Sequence, residues 1–180
     1  MISALLGLFA ILPLRAENVC VVNLAEKEIG YVLTLDGKHF PVVLGPRQSS
    51  GDFSIKEEAI LSCHGEPFTL KAEQNQLIVL PRHKEEAVAA FEGLPAGKDF
   101  ARVQIINLSG GEIEVHGTGE TKKVASHEAV LLGDFKRTPR LRIDGVPSAE
   151  LELDSEERCV FAVFIYEIEN QRRAFVQLRF

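Results

Sequence analysis

The chain resembles itself, and that resemblance constrains its fold more than any other feature. Val21-Val22-Asn23-Leu24, followed by Glu28-Ile29, returns 84 residues later as Ile105-Ile106-Asn107-Leu108, followed by Glu112-Ile113. Gly51-Asp52-Phe53 returns 82 residues later as Gly133-Asp134-Phe135. The order is kept, and the change of offset reads as a two-residue deletion of the kind that loops tolerate. Between its two motifs each copy carries a hairpin-like stretch. In the first, Tyr31 to Leu35 and Lys38 to Leu44 flank Asp36-Gly37, a pair favoured in type I′ turns. In the second, Glu112 to His116 and Thr121 to Ala125 flank Gly117-Thr118-Gly119-Glu120.

The local pattern says what each copy is made of. Apolar and polar residues alternate in short runs, as in Asp52-Phe53-Ser54-Ile55-Lys56, Pro67-Phe68-Thr69-Leu70-Lys71, Arg140-Leu141-Arg142-Ile143-Asp144 and Glu150-Leu151-Glu152-Leu153-Asp154. A period of two puts Leu141 and Ile143 on one face and the charges on the other, as a half-buried antiparallel strand requires. Many such strands with Gly, Pro, Asp and Asn between them indicate a sandwich or barrel. The expectation is an all-β chain of two tandem, small, antiparallel, Ig-like β-sandwich domains, residues 17–80 and 101–180. Between them, residues 81–100 form a linker. Its Lys84-Glu85-Glu86-Ala87-Val88-Ala89-Ala90-Phe91 has helix-forming composition and stops at Gly93 and Pro95, which suits either a short helix or a partly ordered connection. In the second copy Cys159 to Tyr166 is a near-continuous apolar run, hence a central strand covered on both faces. Arg173 to Phe180 returns as its hairpin partner after a polar turn at Glu169 and Asn170.

Residues 1–16, MISALLGLFAILPLRA, stand outside this pattern. The apolar run from Ile2 to Leu14 is too short for a membrane-spanning helix of about 20 residues. Followed by a small residue, it reads as a secretory signal peptide, although no Lys or Arg precedes it. A short anchor or a buried first strand is the competing reading. Export makes the mature chain periplasmic or secreted, without a transmembrane span, and places Cys20, Cys63 and Cys159 in an oxidising compartment. Three cysteines allow at most one intramolecular bridge, with Cys20–Cys63 the nearer pair; buried free thiols are the alternative.

Composition excludes several function classes. At 46% hydrophobic and 26% charged residues the chain is neither disordered nor collagen-like. Its net charge of −6 leaves no basic face for tracking phosphates, so no nucleic-acid partner is expected. No G-x-S-x-G elbow is present. Gly117-Thr118-Gly119-Glu120-Thr121-Lys122-Lys123 lacks the spacing of a phosphate loop and sits between strands. Gly-Asp-Phe in both copies reads as a turn opening a strand with Phe inward. Of the five histidines (His39, His64, His83, His116, His127), only His64 has local company, Cys63 and Glu66, and adjacent strand residues face opposite ways. His116 and His127 could approach across the second hairpin, but no third ligand is fixed. Glu150, Glu152, Asp154, Glu156 and Glu157 read as a solvated face rather than a pair of catalytic carboxylates. Sugar-stacking platforms are weak: no Trp among 13 aromatic residues (11 Phe, 2 Tyr), leaving Tyr31 and Phe40 beside Pro41, both better suited to the core. The expectation is therefore no enzyme, no catalytic, cofactor or metal residues and no cofactor.

An apolar export segment followed by two β-sandwich repeats, each opening on a Val/Ile-rich strand ending in Asn, resembles the periplasmic alginate O-acetylation accessory family, alginate biosynthesis protein F. The residues that carry the resemblance are Val21-Val22-Asn23-Leu24, Ile105-Ile106-Asn107-Leu108-Ser109-Gly110 and the alternation after Gly133-Asp134-Phe135. It implies an adaptor without catalytic residues, working beside acetyltransferases in polysaccharide biosynthesis, with a protein partner in the cell envelope and a polysaccharide nearby. The alternative function is a carbohydrate-binding module acting directly on a glycan.

Overall fold

The computed structural model describes residues 18–72, 74–95, 100–117, 120–135, 140–147, 151, 153 and 159–179. Residues 1–16, expected from the sequence to be a signal peptide, lie outside them. The described chain is all-β, with fifteen strands and no helix. The first eight strands are β1 (Asn18–Asn23), β2 (Ile29–Leu35), β3 (Lys38–Leu44), β4 (Gln48–Ser54), β5 (Ala59–Cys63), β6 (Glu66–Leu70), β7 (Gln76–Val79) and β8 (Ala89–Glu92). The rest are β9 (Ala101–Asn107), β10 (Ile113–Gly117), β11 (Glu120–Val124), β12 (Glu128–Phe135), β13 (Leu141–Ile143), β14 (Val160–Ile168) and β15 (Gln171–Arg179).

Four sheets result, and the second pair repeats the plan of the first. In the first half, β4-β1-β7-β8 faces β3-β2-β5-β6; in the second, β12-β9-β14-β15 faces β11-β10-β13. Val19, Val21, Tyr31, Leu33, Leu61, Leu70 and Ile78 are among the buried residues that fill the first sandwich. Val103, Ile105, Ile113, Val115, Ile143, Phe161 and Val163 do the same in the second. A third cluster, including Cys20, Val22, Leu77, Ile106, Ala162, Phe164 and Tyr166, packs the outer face of β1 and β7 against that of β9 and β14. The molecule is thus four layers deep. Alternate residues of β1 and β14 serve a sandwich core and the central seam, which is why these two strands are apolar on both faces, whereas β9 adds Arg102 and Gln104 to Ile106 on its seam side.

Several sequence expectations change here. The two outer sheets are purely antiparallel as expected, but the two inner ones are mixed, because β1 runs parallel to β7 and β9 parallel to β14. The helix-forming stretch contains no helix: Ala89–Glu92 is β8, paired antiparallel with β7. Its propensity yields to tertiary packing, since Ala89 and Phe91 pack into the seam. Gly51-Asp52-Phe53 and Gly133-Asp134-Phe135 lie within β4 and β12, beside bulges, and do not open strands. Both phenylalanines do pack against their own sandwich core. The turn at Asp36-Gly37 has positive φ at both residues (50° and 72°), as type I′ demands, and Glu169-Asn170 repeats it (50° and 61°). The β14–β15 hairpin forms as expected.

The duplicated asparagine has a structural reason. Asn23 is buried, and its Nδ2 donates to the carbonyls of Lys27 (2.8 Å), Leu44 (3.0 Å) and Gly45 (2.8 Å), while Oδ1 accepts from Ala25 N–H (2.9 Å). Asn107, also buried, donates to Gly111 (2.8 Å), Val124 (3.0 Å) and Ala125 (3.0 Å) and accepts from Ser109 N–H (2.9 Å). One amide therefore ties the chain leaving the inner sheet to the chain returning to it. These bonds also correct the single two-residue deletion. The hairpin between the tied points is four residues shorter in the second copy, two per strand, and the stretch from the tied points to the Val19–Phe53 or Ala101–Phe135 pair is two residues longer on each strand. Even numbers preserve which side chains face the core.

Candidate functional site

The two outer sheets are the surfaces that this frame offers to solvent, and their chemistry follows from strand register. On β3-β2-β5-β6, the paired residues Gly30/Val43, Val32/Pro41, Thr34/His39, Thr34/Ile60, Ser62/Pro67 and Ile60/Thr69 face outward. No Asp, Glu, Lys or Arg occurs in that set. Val43 is 64% exposed and Ile60 44% exposed. Phe40, on edge strand β3, is 45% exposed. Thr34 Oγ1 and His39 Nδ1 share a hydrogen bond of 2.9 Å, so the main polar groups of this face are turned on each other.

The corresponding face of β11-β10-β13 is charged. Glu114 pairs across the ladder with Lys123, and His116 pairs with Thr121 on one side and Arg142 on the other. Lys123 Nζ lies 3.2 Å from Glu112 and 3.3 Å from Glu114, and these hydrogen bonds and charges hold its ammonium pKa above the usual lysine value. His116 Nδ1 is hydrogen-bonded to Thr121 Oγ1 at 3.0 Å. On its other side, His116 Nε2 is 3.4 Å from Asp144 Oδ1. That ring nitrogen is shielded from solvent and has no hydrogen-bond partner. Glu114, His116 and Asp144 each offer a ligand atom within 4.8 Å of the others.

Other sequence candidates disperse. His64 sits in the exposed β5–β6 turn with φ 53°, whereas Cys63 points into the first core. His127 lies in the β11–β12 turn and lines a cleft between the halves, away from His116. That cleft, about 610 Å³, also takes in Leu24, Leu108, Tyr166 and Glu167. Tyr31 is buried in the first core, where burial and then Cys20 push its hydroxyl up to about 12, so it offers no stacking surface. Glu150, Glu152, Asp154, Glu156 and Glu157 lie outside the described residues. Gly117 and Glu120 close the β10–β11 hairpin, and no helix follows to hold a phosphate. The three cysteines form no disulfide and occupy three separate clusters: Cys20 in the seam, Cys63 in the first core and Cys159 in the second. A Cys20–Cys63 bridge is therefore absent. Burial, and next the neighbouring Asp52 carboxylate, pushes the Cys20 thiol up to about 12; burial also raises Cys63. Neither has the electropositive surroundings of a reactive thiolate.

The seam carries its own polar set. Arg179, 4% exposed, donates from Nε to Asp52 Oδ1 (2.9 Å) and from Nη2 to the Asn18 carbonyl (3.2 Å). Ser49 Oγ meets Gln177 Oε1 at 2.5 Å, and Arg82 Nη1 donates to the Glu167 carbonyl at 2.6 Å. Arg82 is itself held by Glu86; burial would raise that carboxyl, but hydrogen bonds from Arg82 bring it below the usual range.

Sequence reasoning missed the Glu114–His116–Asp144 cluster. Glu114-Val115-His116 was visible as two polar residues on one strand face. Asp144 is 28 residues further along, and only the pairing of β10 with β13 brings it there. No helix among the described residues is long and apolar enough to cross a membrane. No protein-family model matches this chain, and no curated protein matches it.

Proposed function

We propose that this chain is an exported, non-enzymatic interaction protein that serves a cell-envelope polysaccharide-modifying (O-acetylation) complex as an accessory. The observation that carries the interaction reading is the uncharged outer face of β3-β2-β5-β6, with Val43 and Ile60 exposed and the edge of β3 at its side. Val43 and Ile60 stand at opposite ends of this face with Pro41 and Val32 between them, and a contiguous apolar face of this kind suits a contact surface. An edge strand offers backbone donors and acceptors to a partner strand without any sequence signature. The envelope and polysaccharide parts of the proposal rest on the apolar leader and on the family resemblance of the repeat.

The test is affinity capture from envelope extract with the full chain and with a Val43→Asp/Ile60→Asp double variant. A defined acetylation-complex partner retained by the parent and lost by the folded double variant is the expected result. Equal capture by both moves the contact elsewhere, and a partner unrelated to polymer modification overturns the accessory role. The second reading, direct glycan binding, is favoured by one observation, the exposed Phe40 ring next to exposed Pro41. Glycan-array binding abolished by Phe40→Ala would support it; binding that survives that change would count against stacking.

A further inference from the structure

We propose that Glu114, His116 and Asp144 bind a divalent cation of the zinc class on the outer face of the second sandwich. The site goes beyond the interaction reading and stands on a different sheet. Its centre is His116. Thr121 Oγ1 can accept the Nδ1–H proton at 3.0 Å, the tautomer that leaves the Nε2 lone pair free. A partner of this kind on the far ring nitrogen is what orients a metal-ligating imidazole. Nε2 is shielded from solvent and unbonded, an unusual state for a polar atom in a folded chain.

The distances fit ligation better than hydrogen bonding. Nε2 and Asp144 Oδ1 are 3.4 Å apart, and their geometry makes no hydrogen bond. Two ligand atoms each about 2.0–2.1 Å from one tetrahedral ion stand about 3.4 Å apart. Glu114 supplies a third ligand atom within 4.8 Å, so a modest side-chain rotation closes the set. Glu114 and His116 share one face of β10, and Asp144, in the turn just after β13, is tied to that strand by its N–H, which donates to the Glu114 carbonyl at 3.1 Å. The scaffold is rigid before any ion arrives, which limits the entropy lost on binding.

Charge is compatible with a cation. Glu112, Glu114 and Asp144 outnumber Lys123 and Arg142, the cations in contact with their carboxylates. Lys123 is 63% exposed and shared between Glu112 and Glu114, so it can stay on Glu112 while Glu114 turns to the ion. Arg142 reaches Asp144 only at 3.4 Å and is well exposed. One imidazole and two carboxylates are borderline-to-hard donors, which suit zinc among the common divalent ions. Three protein ligands leave a coordination position for water.

The experiment is calorimetric titration of zinc chloride into the full chain after chelator treatment and dialysis. One equivalent should bind with micromolar affinity. His116→Ala should abolish it, and Glu114→Gln and Asp144→Asn should each weaken it. Thr121→Val, which leaves all three ligands in place, should weaken it about tenfold. Zinc should also raise the melting temperature of the parent and leave that of His116→Ala unmoved. Circular dichroism verifies that the exposed variants fold. Absence of heat from the parent, or an isotherm unchanged in folded His116→Ala and Asp144→Asn, overturns the site.

Discussion

The outer sheet of the first half and that of the second are built from corresponding strands, yet they meet solvent with opposite chemistry. On β3-β2-β5-β6 the outward set is Val, Ile, Pro, Thr, Ser, Gly and one His, without a formal charge. On β11-β10-β13 it is Glu114, His116, Thr121, Lys123 and Arg142, bounded by Glu112 and Asp144. The inner faces diverge far less, because they answer to the same packing problem: two sheets that exclude water and corners that must satisfy buried carbonyls. Residues aimed at solvent carry no such obligation. The repeated frame constrains the inner faces and leaves each outer face free to carry its own chemistry.

The repeated aspartates show the same division within the frame. Asp134 takes Arg102, its cross-strand neighbour, at 3.1 Å. Asp52 faces Cys20 across the ladder and takes its cation, Arg179, from the other half of the molecule. One motif therefore closes a sheet in the second copy and locks the seam in the first.

The largest effect expected from breaking this comparison is at that pair. Asp52→Asn leaves the Arg179 guanidinium buried without a counter-charge and should cost about 3 kcal/mol, whereas Asp134→Asn, in a more exposed pair, should cost under about 1 kcal/mol. Urea unfolding midpoints of the two variants measure the difference. Equal losses would mean that the seam charge is screened as well as the surface one.

Next come the asparagines, which should behave alike. Asn23→Ala and Asn107→Ala each strand buried carbonyls and should each lose roughly 2–3 kcal/mol. A loss at one site only, measured in the same way, would show that the copies no longer share their frame.

The thiols sharpen the comparison further. Cys63 and Cys159 lie in the two sandwich cores, and Cys20 lies in the seam between the halves. With its thiol raised to about 12, Cys20 stays protonated below that pH and does not react with alkylating reagents in the closed molecule. Parting of the halves exposes it while the cores remain intact. Pulsed alkylation followed by mass spectrometry should label Cys20 before the other two. Simultaneous labelling would show that the four layers open as one cooperative unit.

The smallest effect is at the outer faces. Val43→Asp should change stability by no more than about 0.5 kcal/mol, and Lys123→Met should leave the melting temperature nearly unmoved, because neither side chain is needed by a core. A large loss in either, read from the melting temperature, would place that face inside the frame rather than outside it.

Much of the frame was legible. Alternation placed Leu141 and Ile143 in the core and the charged residues beside them outside it. The Asp-Gly turn required positive φ, and the unbroken apolar run from Cys159 to Tyr166 announced a strand covered on both sides. The misreadings have physical causes. Ala89, Ala90 and Phe91 are acceptable in a helix, but β7 presented an open edge and the seam had room for Phe91, so they form a strand. Gly51-Asp52-Phe53 looked like a turn because glycine and aspartate favour turns; here Gly51 takes φ 71° at a bulge inside β4. The pairing of β10 with β13, and with it the His116 cluster, left no local trace.

By itself the sequence determined the strand-by-strand alternation, the all-β class and the presence of two like copies. These depend on a period of two and on turn chemistry, which operate over a few neighbouring residues. Only the tertiary structure decided that the two inner sheets pack back to back, that Asp52 is neutralised from the opposite half, and that Asp144 stands beside His116. Each of those is a contact between residues far apart in the chain, set by which sheets found surfaces to bury, and no local pattern encodes that choice.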